Sequence, residues 1–270
     1  MSSVLFVVPT LDSYHLLPRL YQSLCSQSFQ EWNVLFVDGP SKPTHRKWLQ
    51  ECCNSDSRFI WIPQTDSTKG IYGAMNDGFR YAVKTCHEWL LFWGSDDWPS
   101  SVNSLSDVMA SLAQHCIGKV HPDIVVCQAQ YSNVHTFSKG RYSNFQSEGL
   151  IDRRRFRRLL WHGETPAHQA TLIGIGARKY LSYYSTSFSL AADLDFFLKL
   201  TNKVDFMALC LNLQIVHIGE AGVSGQFHVT RIKEVLFAYF RAFGLWFYIP
   251  FLLRYFKRTS SYIYSLSFRD

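Results

Sequence analysis

The chain of 270 residues lacks several features that would assign it to a simple class. Its seven cysteines are an odd number and are scattered without the spacing of metal ligands, which favours a reduced, cytoplasmic protein with thiols used mainly as small apolar groups. No basic segment followed by a long apolar one opens the sequence, so we expect no signal peptide. No internal repeat or low-complexity segment occurs, which argues against repeat and fibrous architectures.

The composition is that of a globular protein. Apolar residues make up 47% of the chain and aromatic residues 16%, so a sizeable core is easily built and disorder is not indicated. The net charge is +6, and residues 226–270 contribute seven basic and two acidic side chains, a local excess of +5. These basic residues form no recognisable nucleic-acid-binding module, so we expect no nucleic-acid partner.

The central feature of the sequence is an apolar run followed at once by two acids. Residues 89–93, WLLFW, predict a strand buried on both faces, as in a parallel sheet. The run ends at Gly94, and Asp96 and Asp97 follow at the carboxyl end of the strand, where open α/β folds bind ligands. Two adjacent carboxylates repel each other, so a cation or a set of donors should offset their charge. The alternative is a plain turn with a helix N-cap.

Strands and helices alternate through the first hundred residues. Apolar runs predict strands at 4–8, 34–37, 59–62 and 89–93, separated by helical patterns at 16–24, 47–53 and 71–82. Ser13 is predicted to cap the first helix. This β-α-β-α-β-α-β order indicates a doubly wound, mostly parallel, Rossmann-like sheet. Further strands are predicted at 123–129, 131–137, 206–211 and 214–218, and helices at 101–116 and 189–200.

The last segment differs from the rest in being both basic and rich in aromatic residues. Residues 235–253 approach the roughly 20 apolar residues that a membrane span needs, but Arg241 and Pro250 interrupt them. We therefore predict a domain over 1–226 and a helical extension over 227–270 that lies at an anionic membrane surface. A helical pair docked on the domain is the alternative.

A second basic cluster occupies residues 153–158, RRRFRR. Such a cluster is ordinarily a solvated helix face. The sharper interpretation is that it docks to anionic lipid or to phosphates of an acceptor.

Five ordered motifs resemble those of the family 2 glycosyltransferases, which have the GT-A fold. They are VVPT at 7–10, LCSQSFQEW at 24–32, VDGPS at 37–41, GIYGAMNDG at 70–78 and GSDD at 94–97. Their order and spacing make the resemblance much more specific than any one motif. Beyond residue 98 it depends on AHQA at 167–170, ADLDFF at 192–197 and GVS at 222–224, and it does not extend past about residue 227.

The resemblance implies a role for individual residues. Asp38 matches the acid beside the nucleotide base, and Asp96 and Asp97 match the metal-binding element, with Asp96 also near the ribose. Asp193 matches the catalytic base of inverting members, and His168 an acceptor-loop position near the sugar-diphosphate. Within the matching motifs, Thr10, Gly70 and Asn76 are further candidates for contact with the nucleotide-sugar. A divalent cation, Mg²⁺ or Mn²⁺, is implied because hard cations prefer carboxylate oxygens.

The sequence also departs from the family pattern at three glycines. Gly94 stands where the family commonly has a further acid, and Gly39 stands where many members have a second acid after Asp38. Gly73 stands where related sequences often carry an aspartate. The departures leave the base and sugar preference open.

These observations predict an inverting glycosyltransferase that moves a sugar from a nucleotide-diphosphate sugar to a hydroxyl of a glycan or lipid-linked acceptor. The enzyme would act in surface polysaccharide biosynthesis, lipopolysaccharide included, in the cytoplasm or on the inner face of the plasma membrane. Asp195 competes with Asp193 as the base, but two residues apart on a helix they face different ways. The alternatives are a sugar-phosphate nucleotidyltransferase and a non-catalytic nucleotide-binding relative.

Overall fold

The computed structural model describes residues 3–65, 70–116, 121–131, 141–142, 145, 147–219 and 228–267. The strands are β1 Val4–Thr10, β2 Trp32–Asp38, β3 Phe59–Pro63, β4 Trp89–Phe92, β5 Trp98–Pro99, β6 Ile124–Tyr131, β7 Arg141–Tyr142, β8 Gly149–Asp152, β9 Thr171–Gly174 and β10 Met207–Ile218. The α-helices are α1 Leu17–Cys25, α2 Pro43–Ser55, α3 Gly70–Thr85, α4 Ser104–Cys116, α5 Arg153–Trp161, α6 Ile175–Tyr180, α7 Ala192–Leu200, α8 His228–Phe243 and α9 Tyr248–Ser267.

The strands form one sheet in the order β3-β2-β1-β4-β9-β6-β10-β5, with β7 beside β6 and β8 beside β10. The first four strands pair in parallel, as the alternating sequence pattern predicts. Their carboxyl ends therefore lie at one edge of the sheet.

The second half of the sheet is mixed. β9 lies antiparallel between β4 and β6, while β10 runs parallel to β6. The two strands predicted at 206–211 and 214–218 are one strand, β10, whose register against β6 shifts between Cys210 and Gln214 and again before Val216. A local irregularity of this kind changes the direction of a strand without ending it. In the sequence, the short polar interruption cannot be distinguished from the end of a strand. The strand predicted at 131–137 falls almost entirely outside the described residues.

The prediction that Ser13 caps the first helix is wrong. α1 begins at Leu17 with no side-chain cap, and Pro18 occupies its first turn. Ser13 lies upstream of this turn, and its Oγ is hydrogen-bonded to Ser95 Oγ at 2.8 Å. The residue therefore ties the end of β1 to the acidic turn instead of starting a helix.

Apolar side chains cover both faces of the sheet. One face packs against α3, α7 and α8, and the other against α1 and α4. α3 buries Met75 and Phe79, as its helical spacing predicts, whereas Ile71 in its first turn is 44% exposed. A Cβ at Gly78 would lie 2.5 Å from Val7 Cγ1, so this glycine allows α3 to approach β1 closely.

The C-terminal extension docks on the domain through one of its sides. α8 buries Val235, Ala238 and Tyr239, and Tyr239 donates a hydrogen bond to the carbonyl of Leu160 at 3.3 Å. A side chain at Gly163, which has φ +80°, would collide with the main chain of Arg254 in α9. The inner side of the extension therefore makes the contacts expected if α8 and α9 dock on the domain.

The outer side of the extension stays open. By length and composition alone, Val229–Lys257 would suffice to cross a membrane, since an 18-residue window within it has a mean hydropathy of 1.5. However, a 3₁₀ turn at Gly244–Phe247, which starts at a φ of +56°, separates α8 from α9. Leu245 and Trp246 in this turn are 83% and 61% exposed.

Candidate active site

The acidic turn after β4 holds Asp97 by main-chain hydrogen bonds. Asp97 is buried, with Oδ2 accepting from the N–H of Gly94 at 2.6 Å and Oδ1 from the N–H of Gly219 at 3.1 Å. Burial is the main cause that raises the pKa of Asp97 to about 7, and the charge of Asp96 adds to it, while the two N–H groups and His168 act in the opposite direction. No Lys or Arg forms an ion pair with Asp97 in the described part of the chain.

Asp96 is partly exposed and lies against the end of β10. A Cβ at Gly219 would overlap both the carboxylate and the main-chain oxygen of Asp96, so glycine is needed where β10 meets the acidic turn. Gly219 opens a glycine-rich segment of the sequence, GEAGVSG at 219–225. The remainder of that segment, with the GVS motif at 222–224, lies outside the described residues.

Asp38 sits at the end of β2 in a buried polar cluster. Its Oδ1 accepts hydrogen bonds from Thr10 Oγ1 at 3.0 Å and Ser41 Oγ at 2.6 Å. His45 Nε2 lies 3.2 Å from Oδ1, and Arg46 Nε lies 3.6 Å from Oδ2. Asp38 Oδ2 is buried without a hydrogen bond. The structure thus joins the predicted residues Thr10 and Asp38, and it adds His45 and Arg46 from α2, for which the sequence carried no signal.

Trp93 connects the acidic turn to the loop that carries His168. The indole N–H of Trp93 donates to the carbonyl of Gln169 at 2.8 Å, within a short 3₁₀ helix, His168–Ala170. His168 Nδ1 in turn lies 3.6 Å from Asp193 Oδ2. The structure therefore brings the neighbourhood of Asp97, the His168 loop and Asp193 together, although about a hundred residues separate the two acids.

Asp193 lies in the first turn of α7 and keeps a quarter of its side chain exposed. Burial works to raise its pKa, but the His168 ring, the N–H of Leu194 and the charge of Arg254 together hold the pKa below its ordinary value. The carboxylate is therefore ionised at neutral pH and able to accept a proton.

Asp195 has different surroundings, as the helical spacing predicts. It is buried, with Lys199 Nζ 2.6 Å from Oδ2 and Arg241 Nη1 3.4 Å from Oδ1. Two cations thus hold Asp195 inside the protein, and one of them comes from α8. Asp193 is the acid of this helix that faces His168.

Glu234 of α8 closes the start of the helix that carries Asp193. Its two carboxylate oxygens accept hydrogen bonds from the N–H groups of Ser189, Leu190 and Ala191 at 2.8, 2.7 and 2.9 Å. Ala191 directly precedes the first residue of α7, where an N–H group has no intrahelical partner and negative charge is favoured, and Ser189 and Leu190 lie just before it. Sequence reasoning missed this residue, because a cap supplied from some forty residues away leaves no local pattern.

Two residues predicted to contact the nucleotide-sugar make hydrogen bonds within the protein. The Asn76 side chain donates to the carbonyl of Tyr184 at 2.9 Å and accepts from its N–H at 2.7 Å, which ties α3 to the segment before α7. Gly70, with φ +75°, is the first residue of α3, and its carbonyl accepts from Gln64 Nε2 at 2.9 Å. Their part in donor binding stays a prediction. Tyr72, which was not predicted, is buried near Asp193, and burial followed by the charge of Asp193 raises its pKa.

The acidic turn has the chemistry of a site for a hard cation. Asp96 and Asp97 supply adjacent carboxylates, and among the described residues the buried Asp97 is held by main-chain N–H groups with no Lys or Arg as an ion-pair partner. Within the described residues, no three His, Cys, Asp or Glu side chains are grouped to hold a metal by themselves. The two acids therefore fit a cation whose other ligands come from outside the described side chains.

Solved structures share this fold at low sequence identity. S. aureus TarS, residues 1–349, matches with a TM-score of 0.68 and 18% identity over 99% of this chain and 75% of that one. The same TarS fragment in complex with UDP-GlcNAc gives 0.66, with 89% of this chain and 67% of that one covered. The mannosyltransferase PcManGT from Pyrobaculum calidifontis, in complex with GDP-Man and Mn²⁺, gives 0.60 at 14% identity, with coverage of 88% and 63%. The fold is therefore GT-A, with a mostly parallel mixed sheet, as the sequence predicts.

Proteins of known name are similar in sequence as well. PGL/p-HBAD biosynthesis glycosyltransferases of Mycobacterium bovis and Mycobacterium tuberculosis are 26% identical over 218 residues, which cover 80% of this chain and 76% of theirs. Residues 5–178 match the family described as Glycosyl transferase family 2, a span that includes the Asp38 cluster, the acidic turn and His168. The protein is a glycosyltransferase, and it belongs to family 2.

Proposed function

We propose that this glycosyltransferase inverts the anomeric configuration of a nucleotide-diphosphate sugar as it transfers the sugar to a hydroxyl of a glycan or lipid-linked acceptor. The observation that carries the proposal is the position of Asp193. It is an ionised, partly exposed carboxylate that lies 3.6 Å from His168, a residue whose charge also acts on Asp97 of the acidic turn. A single base so placed suits direct displacement of the leaving group.

In this reaction Asp193 takes the proton of the acceptor hydroxyl. The acceptor oxygen bonds to the anomeric carbon while the bond from that carbon to the nucleoside diphosphate breaks. A positioned general base contributes about 10²- to 10⁴-fold to such a step. Asp195 cannot replace it, because Lys199 and Arg241 hold that carboxylate inside the protein.

The donor would lie across the edge formed by β1, β2 and β4. Asp38, with Thr10 beside it, offers the buried Oδ2 as an acceptor for an N–H of the base. Asp96 would contact the ribose, and Asp96 and Asp97 would hold Mg²⁺ or Mn²⁺. Such an ion offsets the charge that develops on the diphosphate leaving group.

The cellular setting that we propose is surface polysaccharide biosynthesis at the inner face of the plasma membrane. A lipid-linked acceptor would present its hydroxyl there to an enzyme attached through the outer side of its extension. Exposed Leu245 and Trp246 support attachment at an interface. Contacts of α8 with the domain oppose a membrane span, because a helix that packs on a folded domain cannot be surrounded by lipid.

A screen of nucleotide-sugars tests the donor assignment. Thermal unfolding is followed with each candidate in the presence of Mn²⁺ or Mg²⁺, and the true donor should raise the Tm by mass action. Turnover with that donor should release a nucleoside diphosphate, and NMR of the product should show inversion at the anomeric carbon. Release of pyrophosphate would identify a nucleotidyltransferase instead, and a retained configuration would remove the single-base mechanism.

A further inference from the structure

We propose that a cavity lined by arginines binds the phosphate of an anionic phospholipid, and that it forms the membrane-docking face of the enzyme together with the exposed turn of the extension. The arginine cavity, about 300 Å³ in volume, is lined by Arg153, Arg154, Arg157, Thr201 and Asn202. The docking turn is the 3₁₀ turn at Gly244–Phe247. The inference depends on the membrane location proposed above and gives it a defined site.

The arginine cavity concentrates positive charge without compensation. Its lining contains three guanidinium groups and no carboxylate. The nearest acid in sequence, Asp152, caps α5 by accepting from the N–H of Arg155 at 2.8 Å. Burial, and then the positive charge of Arg153, lower the pKa of Arg157. Guanidinium groups match phosphate oxygens in geometry as well as in charge.

One arginine fixes the cavity to the extension. Arg157 Nη1 donates a hydrogen bond to Thr201 Oγ1 at 2.8 Å, and Nη2 donates to the carbonyl of Ala242 at 2.8 Å. The guanidinium group also lies 4.6 Å from the centre of the Phe243 ring. These contacts hold Arg157 in place, so Arg153 and Arg154 are the arginines left to face a ligand. They also place the cavity beside the last residues of α8.

The docking turn begins directly after these contacts. Phe243 packs on Trp161 and against Arg157, and the next residues along the chain include Leu245 and Trp246, which are 83% and 61% exposed. Further along α9, Leu252 and Phe256 are 61% and 72% exposed. Apolar and tryptophan side chains beside a basic site are the arrangement by which proteins bind anionic membrane surfaces. A soluble phosphate ester would use the cavity but not the turn.

The arginine cavity is separate from the site of sugar transfer. Thr201 follows the last residue of α7, whereas Asp193 lies in its first turn. Eight residues of helix correspond to about 12 Å at 1.5 Å per residue. Changes in the cavity can therefore be tested without altering the residues that act on the donor.

Co-sedimentation of the full chain with vesicles tests the proposal, with no donor or acceptor present. We expect binding to vesicles of phosphatidylcholine with phosphatidylglycerol and little binding to phosphatidylcholine alone. The double variant R153Q/R154Q should bind the anionic vesicles about 30-fold more weakly, from the two lost charges. The double variant L245S/W246S should also lose binding, because the apolar turn no longer enters the interface.

Matched controls separate these effects from general changes of charge or apolar surface. K47Q/K84Q removes two exposed lysines on other helices, and V83S/V102S removes two exposed apolar side chains from α3 and from the turn before α4. Both should bind as the unchanged protein does. Equal binding of R153Q/R154Q and the unchanged protein, or equal binding to the two vesicle types, would overturn the proposal.

Two further readouts identify the source of a failure. If glycerol 3-phosphate raises the Tm of the unchanged protein but not of R153Q/R154Q, and neither protein binds vesicles, the cavity holds a soluble phosphate and the membrane proposal is wrong. Release of nucleoside diphosphate from the donor in detergent-free solution should be the same for R153Q/R154Q and the unchanged protein. If the unchanged protein released no nucleoside diphosphate, the result would count against the proposed reaction and not against the docking face.

Discussion

Two pairs of acids define the candidate site, and each pair has one buried and one partly exposed member. In the acidic turn, Asp97 is buried and Asp96 is partly exposed; at the start of α7, Asp195 is buried and Asp193 is partly exposed. The buried members differ in what holds them. Main-chain N–H groups hold Asp97, whereas Lys199 and Arg241 hold Asp195.

This difference explains why similar acids have different functions. The positive charge near Asp195 belongs to the protein, so that acid serves the fold and ties α8 to α7. Asp97 has no Lys or Arg as an ion-pair partner among the described residues, so the acidic turn is suited to a cation from outside the protein. In the proposed reaction the partly exposed members, Asp96 and Asp193, are the acids that contact the donor and the acceptor.

The largest expected effect separates the two acids of α7. Asp193→Asn should lower kcat by about 10²- to 10⁴-fold with little change in the Tm, because the base is lost while the fold is kept. Asp195→Asn should instead destabilise the protein by about 1–3 kcal/mol, since two cations lose their partner. Steady-state kinetics and thermal unfolding of both variants check this. A loss of activity in Asp195→Asn at an unchanged Tm would make Asp195 the base.

The next effect separates the two acids of the turn. Chelation should remove transfer activity, and Mn²⁺ or Mg²⁺ should restore it. Asp96→Asn should lower the affinity for the metal by at least about 10-fold, which is the lower end of what even an outer-shell partner contributes. The Tm should stay unchanged. Asp97→Asn should lose both activity and stability, because an amide NH₂ would face a main-chain N–H. Metal titrations of activity decide the outcome, and full activity of either variant would remove that acid from the metal site.

A smaller effect is expected at the cap of α7. Glu234→Ala should cost about 1–2 kcal/mol of stability, since three N–H groups lose their acceptor, and kcat should fall several-fold as Asp193 becomes less firmly placed. Glu234→Gln keeps one acceptor oxygen and should lie between. Glu51→Ala, at an exposed position, is the matched control and should change neither quantity. An unchanged kcat in Glu234→Ala would show that the cap serves stability alone.

The smallest effect concerns pH. The His168 ring helps to hold the pKa of Asp193 below its ordinary value, and the base works in its ionised form. His168→Gln should therefore raise this pKa and move the acid limb of the kcat profile to higher pH. His115→Gln on α4, which is exposed, should leave the profile as it is. A shift to lower pH in His168→Gln would contradict the assigned electrostatics.

Sequence reasoning reached the first half of the fold because its signals are local. Each buried strand is a short apolar run; Asp38 is the last residue of β2, and Asp96 and Asp97 lie in the turn that follows β4. The parallel order and the position of the acids at one sheet edge then follow from general rules of α/β topology.

The remaining features depend on contacts between distant parts of the chain. The register shifts of β10, the link between Ser13 and Ser95, and the approach of Arg241 to Asp195 exist only once the tertiary structure has formed. Composition suggested a membrane-facing extension. It could not show that one side of the extension would be used by the domain and the other left open.

In the proposed reaction, the carboxylate of Glu234 gives the extension a share in positioning the base, Asp193, which its distance along the chain conceals. Glu234 accepts hydrogen bonds from three N–H groups directly before α7, so the docking of α8 and the ordering of Asp193 are coupled in free energy. Thermodynamic coupling of this kind is reciprocal. Any ligand that binds more tightly when Asp193 is in place must strengthen the docking of α8 by the same factor, so occupancy of the site and attachment of the extension are to be measured as one equilibrium.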